Sequence, residues 1–239
     1  MPRELIRFPI TDSNSNMFIE GNLVIPENPI GIVIFAHGSG STKNSKRNQL
    51  VSEGLNKNSI ATLLFDLLSD QEQRFDSQVE KMAIKVPGIV LNKFNILLLT
   101  KRLSMVTEWV RNNPRTEKLP VGYFASSTGA AAALISACKY NIVSIVIRSG
   151  RTDFVKDQFL DQMVSSCLFV LGSKEKSLVK ISNETIRKMK NSNDKKLCII
   201  KGASHLFEEE GSILEAAKLA TDWLTSNFNL HIKSHGIDR

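Results

Sequence analysis

The sequence predicts a single α/β domain with a mainly parallel central sheet and helices on both faces. Three observations point to it. Apolar, β-branched runs recur along the chain, helical patterns separate them, and no repeat, low-complexity tract or Gly/Ser linker interrupts the series. Continuous apolar runs suit strands covered on both faces, and strands alternating with helices imply right-handed parallel crossovers. The domain is expected to span residues 1–239, with its core between about residues 17 and 228 and a flexible tail over 232–239.

The elements follow in order. Met17–Ile25 mixes apolar and polar residues before a turn at Pro26–Pro29, as an antiparallel edge strand would. Ile30–Ala36 is apolar throughout and reads as a buried strand, and Ile60–Phe65, Pro120–Phe124, Ile142–Ile147, Cys167–Leu171 and Leu197–Ile200 repeat the pattern. Helices are expected over Asn44–Asn56, Asn92–Asn112, Thr128–Lys139, Val179–Met189 and Ser212–Phe228. In the longest, Leu99, Leu103, Val106 and Val110 form one stripe and Pro114 stops it. Ser69–Leu91 is charged and irregular, and reads either as a lid or pocket wall or as a plain surface loop.

Composition narrows the function. With 239 residues, 42% hydrophobic and 23% charged, the chain can bury a core without disulfide or metal and is not fibrous or disordered. Cys138, Cys167 and Cys198 lie in or beside apolar runs, with no metal-ligand or redox spacing. They read as small buried hydrophobes in a reducing compartment. The charged start Met-Pro-Arg-Glu-Leu-Ile-Arg lacks the apolar stretch of a secretion signal, and no run is long enough to cross a bilayer, so a cytoplasmic protein without a membrane partner is expected. The net charge of +7 comes from scattered Lys and Arg without interleaved aromatic residues, which argues against a nucleic-acid partner.

The chemistry is concentrated in Val121-Gly-Tyr-Phe-Ala125-Ser126-Ser127-Thr128-Gly129-Ala130, where a strand gives way to an Ala-rich helix within two or three residues. That is the setting of a nucleophile elbow, whose strained turn admits only small residues two before and two after the nucleophile. Ser127 meets the requirement with Ala125 and Gly129; Ser126 would place Phe124 and Thr128 there. The same Ser-Ser-Thr-Gly is also ordinary helix N-cap chemistry. His37-Gly38-Ser39-Gly40-Ser41 follows the first buried strand and can supply a backbone N–H to an oxyanion, Ser39 being the expected donor beside Thr128, with Gly40 its neighbour near the substrate. The loop lacks the glycines and lysine placement of a phosphate-binding motif, and His37 reads as structural.

A serine nucleophile needs a base, and His205 lies in a late strand-to-helix loop, where the order serine, acid, histidine puts it. Glu175, just past the strand Cys167–Leu171, is the expected acid; Asp153 after the preceding strand is the alternative. Arg148 and Arg151 could receive an anionic substrate group, or Arg151 could pair with Asp153.

With these residues in place the chain resembles the α/β-hydrolase superfamily, and within it a serine-bearing group of the dienelactone-hydrolase-like branch. The resemblance runs from about Gly21 to Phe228 through His37-Gly-Ser-Gly-Ser with Arg47-Asn48, Leu64-Phe-Asp66-Leu-Leu, Gly122-Tyr-Phe-Ala-Ser-Ser127-Thr-Gly129, Arg151-Thr-Asp153 and Gly202-Ala-Ser-His205-Leu-Phe-Glu. Some members of that group are fused to phosphoribosyltransferase-like domains. Ala125 and Glu175 stand where the family usually has glycine and aspartate, and Ser127 replaces the cysteine of dienelactone hydrolases proper. The expected activity is hydrolysis of a small carboxylic ester, lactone or thioester by Ser127, His205 and Glu175, with no cofactor and no metal, in a monomer or weak homodimer. An acyltransferase with the same triad and a non-catalytic binding protein on this fold are the alternatives.

Overall fold

The structure, a computed structural model, describes residues 2–10, 17–81 and 90–236. The apolar runs form its centre. Strands β3 (Gly31–Ala36), β4 (Ile60–Phe65), β5 (Val121–Ser127), β6 (Ser144–Gly150) and β7 (Ser166–Gly172) are buried along almost their whole length and run parallel. With β1 (Glu4–Pro9), β2 (Phe18–Val24) and β8 (Lys195–Ile200), the described residues build one eight-stranded sheet in the order β1-β2-β4-β3-β5-β6-β7-β8.

Helices cover both faces. On one, α1 (Lys46–Lys57) and α7 (Ser212–His235) pack Val51, Leu55, Ala216, Leu224 and Phe228 against Phe35, Phe124 and Val146. On the other, α3 (Ile96–Asn112) and α4 (Thr128–Ala137), joined by α5 (Asp157–Asp161) and α6 (Lys176–Lys188), meet Ile34, Tyr123, Ile145 and Phe169. The α3 stripe Leu99, Leu103, Val106 and Val110 lies in that second core.

Four expectations change. The Met17–Ile25 run does become antiparallel β2, but it pairs with β1 and β4 rather than forming the edge. The edge strand β1 went unread although it alternates, Ile6 and Phe8 packing inward between exposed Leu5, Arg7 and Pro9, because the run is short and carries the charges of Glu4 and Arg7. Ser69–Leu91 is not irregular throughout: α2 (Asp70–Lys81) occupies its first half, while the Met82–Gly88 stretch lies outside the described residues. The tail does not fray at Ile232. Helix α7 continues to His235 because Ile232 still packs against the core, and Gly236 ends it in a left-handed turn at φ 58°. Finally, Cys167 is fully buried, whereas Cys138 and Cys198 are only half-buried.

Candidate active site

At the end of β5 the chain turns sharply. Ser127 adopts φ 48° and ψ −126°, a strained backbone for a residue with a side chain, and α4 starts at the next residue. Its hydroxyl does not cap α4, which sets aside the N-cap explanation for this serine. Small neighbours make the turn feasible. A Cβ on Gly129 would lie 2.2 Å from the Ala36 carbonyl oxygen, and one on Gly38 would lie 2.6 Å from Cβ of Ser127. The loop after β3 therefore presses directly on the elbow. Ser126, by contrast, remains in the sheet opposite Arg148.

His205 and Glu175 come together from the ends of β8 and β7. The Nδ1–H of His205 donates to Oε1 of Glu175 at 2.7 Å. The second carboxylate oxygen accepts the Ser149 hydroxyl at 2.6 Å and the Gly172 backbone N–H at 2.9 Å. Burial pushes this carboxyl up, but the bonds from His205, Ser149 and Gly172 outweigh it, so its pKa falls below the usual 4.5 and Glu175 stays ionised. The carboxylate thereby holds a hydrogen on Nδ1 of His205. Close packing brings the two loops together: a Cβ on Gly172 would lie 2.2 Å from the Ala203 carbonyl oxygen. Glu209 braces the histidine loop by accepting the Ser204 N–H at 3.0 Å and a Lys174 ammonium bond at 2.9 Å. Among the described residues, no hydrogen bond joins Ser127 to His205; what they share is the C-terminal edge of the sheet.

Asp153 is engaged elsewhere. Both of its oxygens accept from Arg151, at 2.8 and 2.7 Å, so the alternative acid and the candidate anion-binding arginine neutralise one another. Arg148 is not at the open edge either. It is 6% exposed, its guanidinium lies 5.6 Å from the Phe207 ring, and its Nε and Nη1 have no hydrogen-bond partner. Burial and the nearby Arg47 push its pKa down to about 10, partly offset by Glu175.

The glycine loop after β3 is anchored at both ends. His37 accepts the Leu67 N–H at Nε2 (3.0 Å) and donates from Nδ1 to the Gly38 carbonyl (2.9 Å), a fixed neutral tautomer whose pKa burial lowers. Its role is structural, as the sequence suggested. Lys43 donates to both oxygens of Asp66, through its backbone N–H and its ammonium, each at 2.7 Å, and also pairs with Glu20 at 3.3 Å. Between these anchors Gly40 takes φ 76°, which favours glycine. The Ser39 N–H donates to Oγ1 of Thr128 at 3.1 Å.

A cavity of about 220 Å³ opens beside this loop, bounded by Gly38–Thr42, Leu67, Leu68, Leu99, Thr128 and the α2 residues Gln73 and Asp76. Sequence reasoning missed Ser149 and the pairing of Lys43 with Asp66 and Glu20, whereas Gln73 and Asp76 of α2 lie in the Ser69–Leu91 stretch and do wall the cavity, as one of its two readings expected. Asp66 stood in a quoted motif and Lys43 in a basic cluster, but only the fold pairs them. Nothing in the sequence singles out Ser149.

No family model matches the chain. Among solved structures, a dienelactone hydrolase from Anabaena variabilis is 36% identical, with a TM-score of 0.80 over 93% of this chain and 98% of that one. Est1E from Butyrivibrio proteoclasticus (12% identity, TM-score 0.70, 94% and 99% covered) and an esterase from Pyrococcus furiosus (15%, 0.72, 95% and 92%) share the fold. Two curated Mycobacterium tuberculosis proteins, from strains CDC 1551 / Oshkosh and ATCC 25618 / H37Rv, are 40% identical over 207 residues, 86% of this chain and 43% of theirs; their names suggest a phosphoribosyl transferase. The chain thus spans less than half the length of these relatives. On the strength of the Anabaena relative and the shared architecture, the chain belongs to the dienelactone-hydrolase-like family of α/β hydrolases.

Proposed function

We propose that the chain is a serine hydrolase for small carboxylic esters, lactones or thioesters. The observation that carries the reading is the His205–Glu175 hydrogen bond at the sheet edge that also holds the strained, uncapped Ser127. Ser127 Oγ attacks the carbonyl carbon and passes its proton to Nε2 of His205, while the carbonyl π pair moves onto oxygen. Glu175 holds the imidazolium through Nδ1–H. Collapse of the tetrahedral species expels the alcohol or thiol, which takes the proton from His205. Water then repeats the sequence on the acyl-enzyme and frees the acid and Ser127.

The cavity beside Thr128, about 220 Å³, supports a small substrate rather than a long acyl chain. The transferase name attaches to proteins more than twice as long as the matched stretch and is not carried over to this chain. The test is an active-site phosphonate probe together with p-nitrophenyl acetate turnover. Labelling should disappear in Ser127→Ala and fall sharply in His205→Ala. Turnover should collapse in Glu175→Ala and survive in Asp153→Ala; the reverse order would move the acid to Asp153, and an unlabelled wild-type protein would favour a binding role.

A further inference from the structure

We infer that the side-chain hydroxyl of Thr128 is an oxyanion donor in its own right, with the Ser39 N–H standing behind it. The inference rests on the serine-hydrolase reading and deepens it. Sequence reasoning expects two backbone donors, Ser39 and Thr128. The structure turns the Ser39 N–H onto Oγ1 of Thr128 at 3.1 Å. That bond uses the hydroxyl as an acceptor and leaves its proton to be given elsewhere.

No described residue takes that proton. The helical threonines Thr100, Thr107 and Thr185 each give theirs to the carbonyl four residues back, at 2.7, 2.8 and 3.0 Å. Thr128 has no helical turn behind it, because the residue four back, Phe124, is in β5. Its backbone N–H, in the first turn of α4, likewise has no intrahelical acceptor. Both donors belong to the residue that follows Ser127 and lines the cavity with Gly38, Ser39 and Gly40. A chain from Ser39 N–H through the Thr128 hydroxyl to the substrate oxygen would strengthen the final bond by polarisation. No proton is transferred along it. The hydroxyl keeps its hydrogen while the π pair sits on oxygen, and the pair returns when the leaving group departs.

Three variants test this: Thr128→Val, which keeps shape without the hydroxyl, Thr128→Ala, and Thr128→Ser, which keeps the hydroxyl. Thermal melts report folding; kcat and KM for p-nitrophenyl acetate and the rate of phosphonate labelling at Ser127 report function. The expected result is that kcat and kcat/KM fall together, on the order of a hundredfold, in Val and Ala, while Ser stays within about threefold of wild type. Should Val fail to fold, Ala carries the comparison. Val or Ala at or above the wild-type rate would overturn the inference, because the released Ser39 N–H would then be the true donor. Ser falling with Val would overturn it too, by making the methyl the group that matters. A wild-type protein that neither turns over nor labels would instead defeat the serine-hydrolase reading itself.

Discussion

Ser127, Ser149 and Phe207 all carry positive φ, at 48°, 49° and 56°, and all three lie at the end of the sheet that bears the candidate site. Such conformations cost about 1–3 kcal/mol each and persist only where the surroundings fix them. At Ser149 the surroundings include the buried Glu175 carboxylate, 2.6 Å from its hydroxyl. Ser149→Ala should therefore lose about 1.5–3 kcal/mol of stability, as expected for a hydrogen bond to a charged group, and lower kcat. It should also raise the Glu175 pKa. Since the bonded carboxylate is protonated only below its usual 4.5, the acid-side loss of activity should move to higher pH in the variant. A pH profile of kcat/KM measures this. His37 makes a second prediction. Burial holds its pKa below 6.5, so the unfolded chain binds a proton the folded chain refuses. Stability should be full above that value and fall as pH drops through it, by up to about 1.4 kcal/mol per pH unit. Melting temperatures across that range should show the slope in wild type and a flatter one in His37→Asn.

The elements differ in how far the sequence revealed them. The central strands declared themselves as unbroken apolar runs, and the elbow followed from the sizes of Ala125 and Gly129. The loops after β8 and β7 were legible as places where His205 and Glu175 could meet, and the two side chains do lie 2.7 Å apart. Helix α2 was not legible, because its buried residue is the polar Asp76, which accepts N–H bonds from Asn92 and Lys93 at 2.9 Å. A local cue was nevertheless present: Ser69-Asp-Gln-Glu72 is a capping box, with the Ser69 N–H donating to Glu72 at 2.7 Å and the Glu72 N–H to the Ser69 hydroxyl at 3.3 Å. Charge pairing completes the attachment, as Glu72 also receives the buried Arg102 at 2.9 Å. Ser69→Ala should cost about 1 kcal/mol and fray the start of α2. Because Gln73 and Asp76 wall the cavity, the kinetic signature should be a higher KM with kcat nearly unchanged.

Across the whole molecule, stability and chemistry reside in different places. Phe8 on the edge strand β1 is 2% exposed and meets Trp109 edge-on, ring centroids 5.3 Å apart. It lies four strands from β5 in the sheet order. Phe8→Ala should cost about 3–5 kcal/mol in urea unfolding, yet leave phosphonate labelling of the folded fraction intact. Arg148 presents the opposite case. A cation buried beneath the histidine loop, with two nitrogens unpaired and its pKa brought down to about 10, is a liability to the fold at neutral pH. Arg148→Met should melt higher and turn over more slowly, because the ring of Phe207 loses the charge it rests against beside His205. Directed evolution for heat resistance alone would discard this arginine early, whereas evolution for catalytic speed would retain it, so the two regimes would drive the same gene apart at one codon.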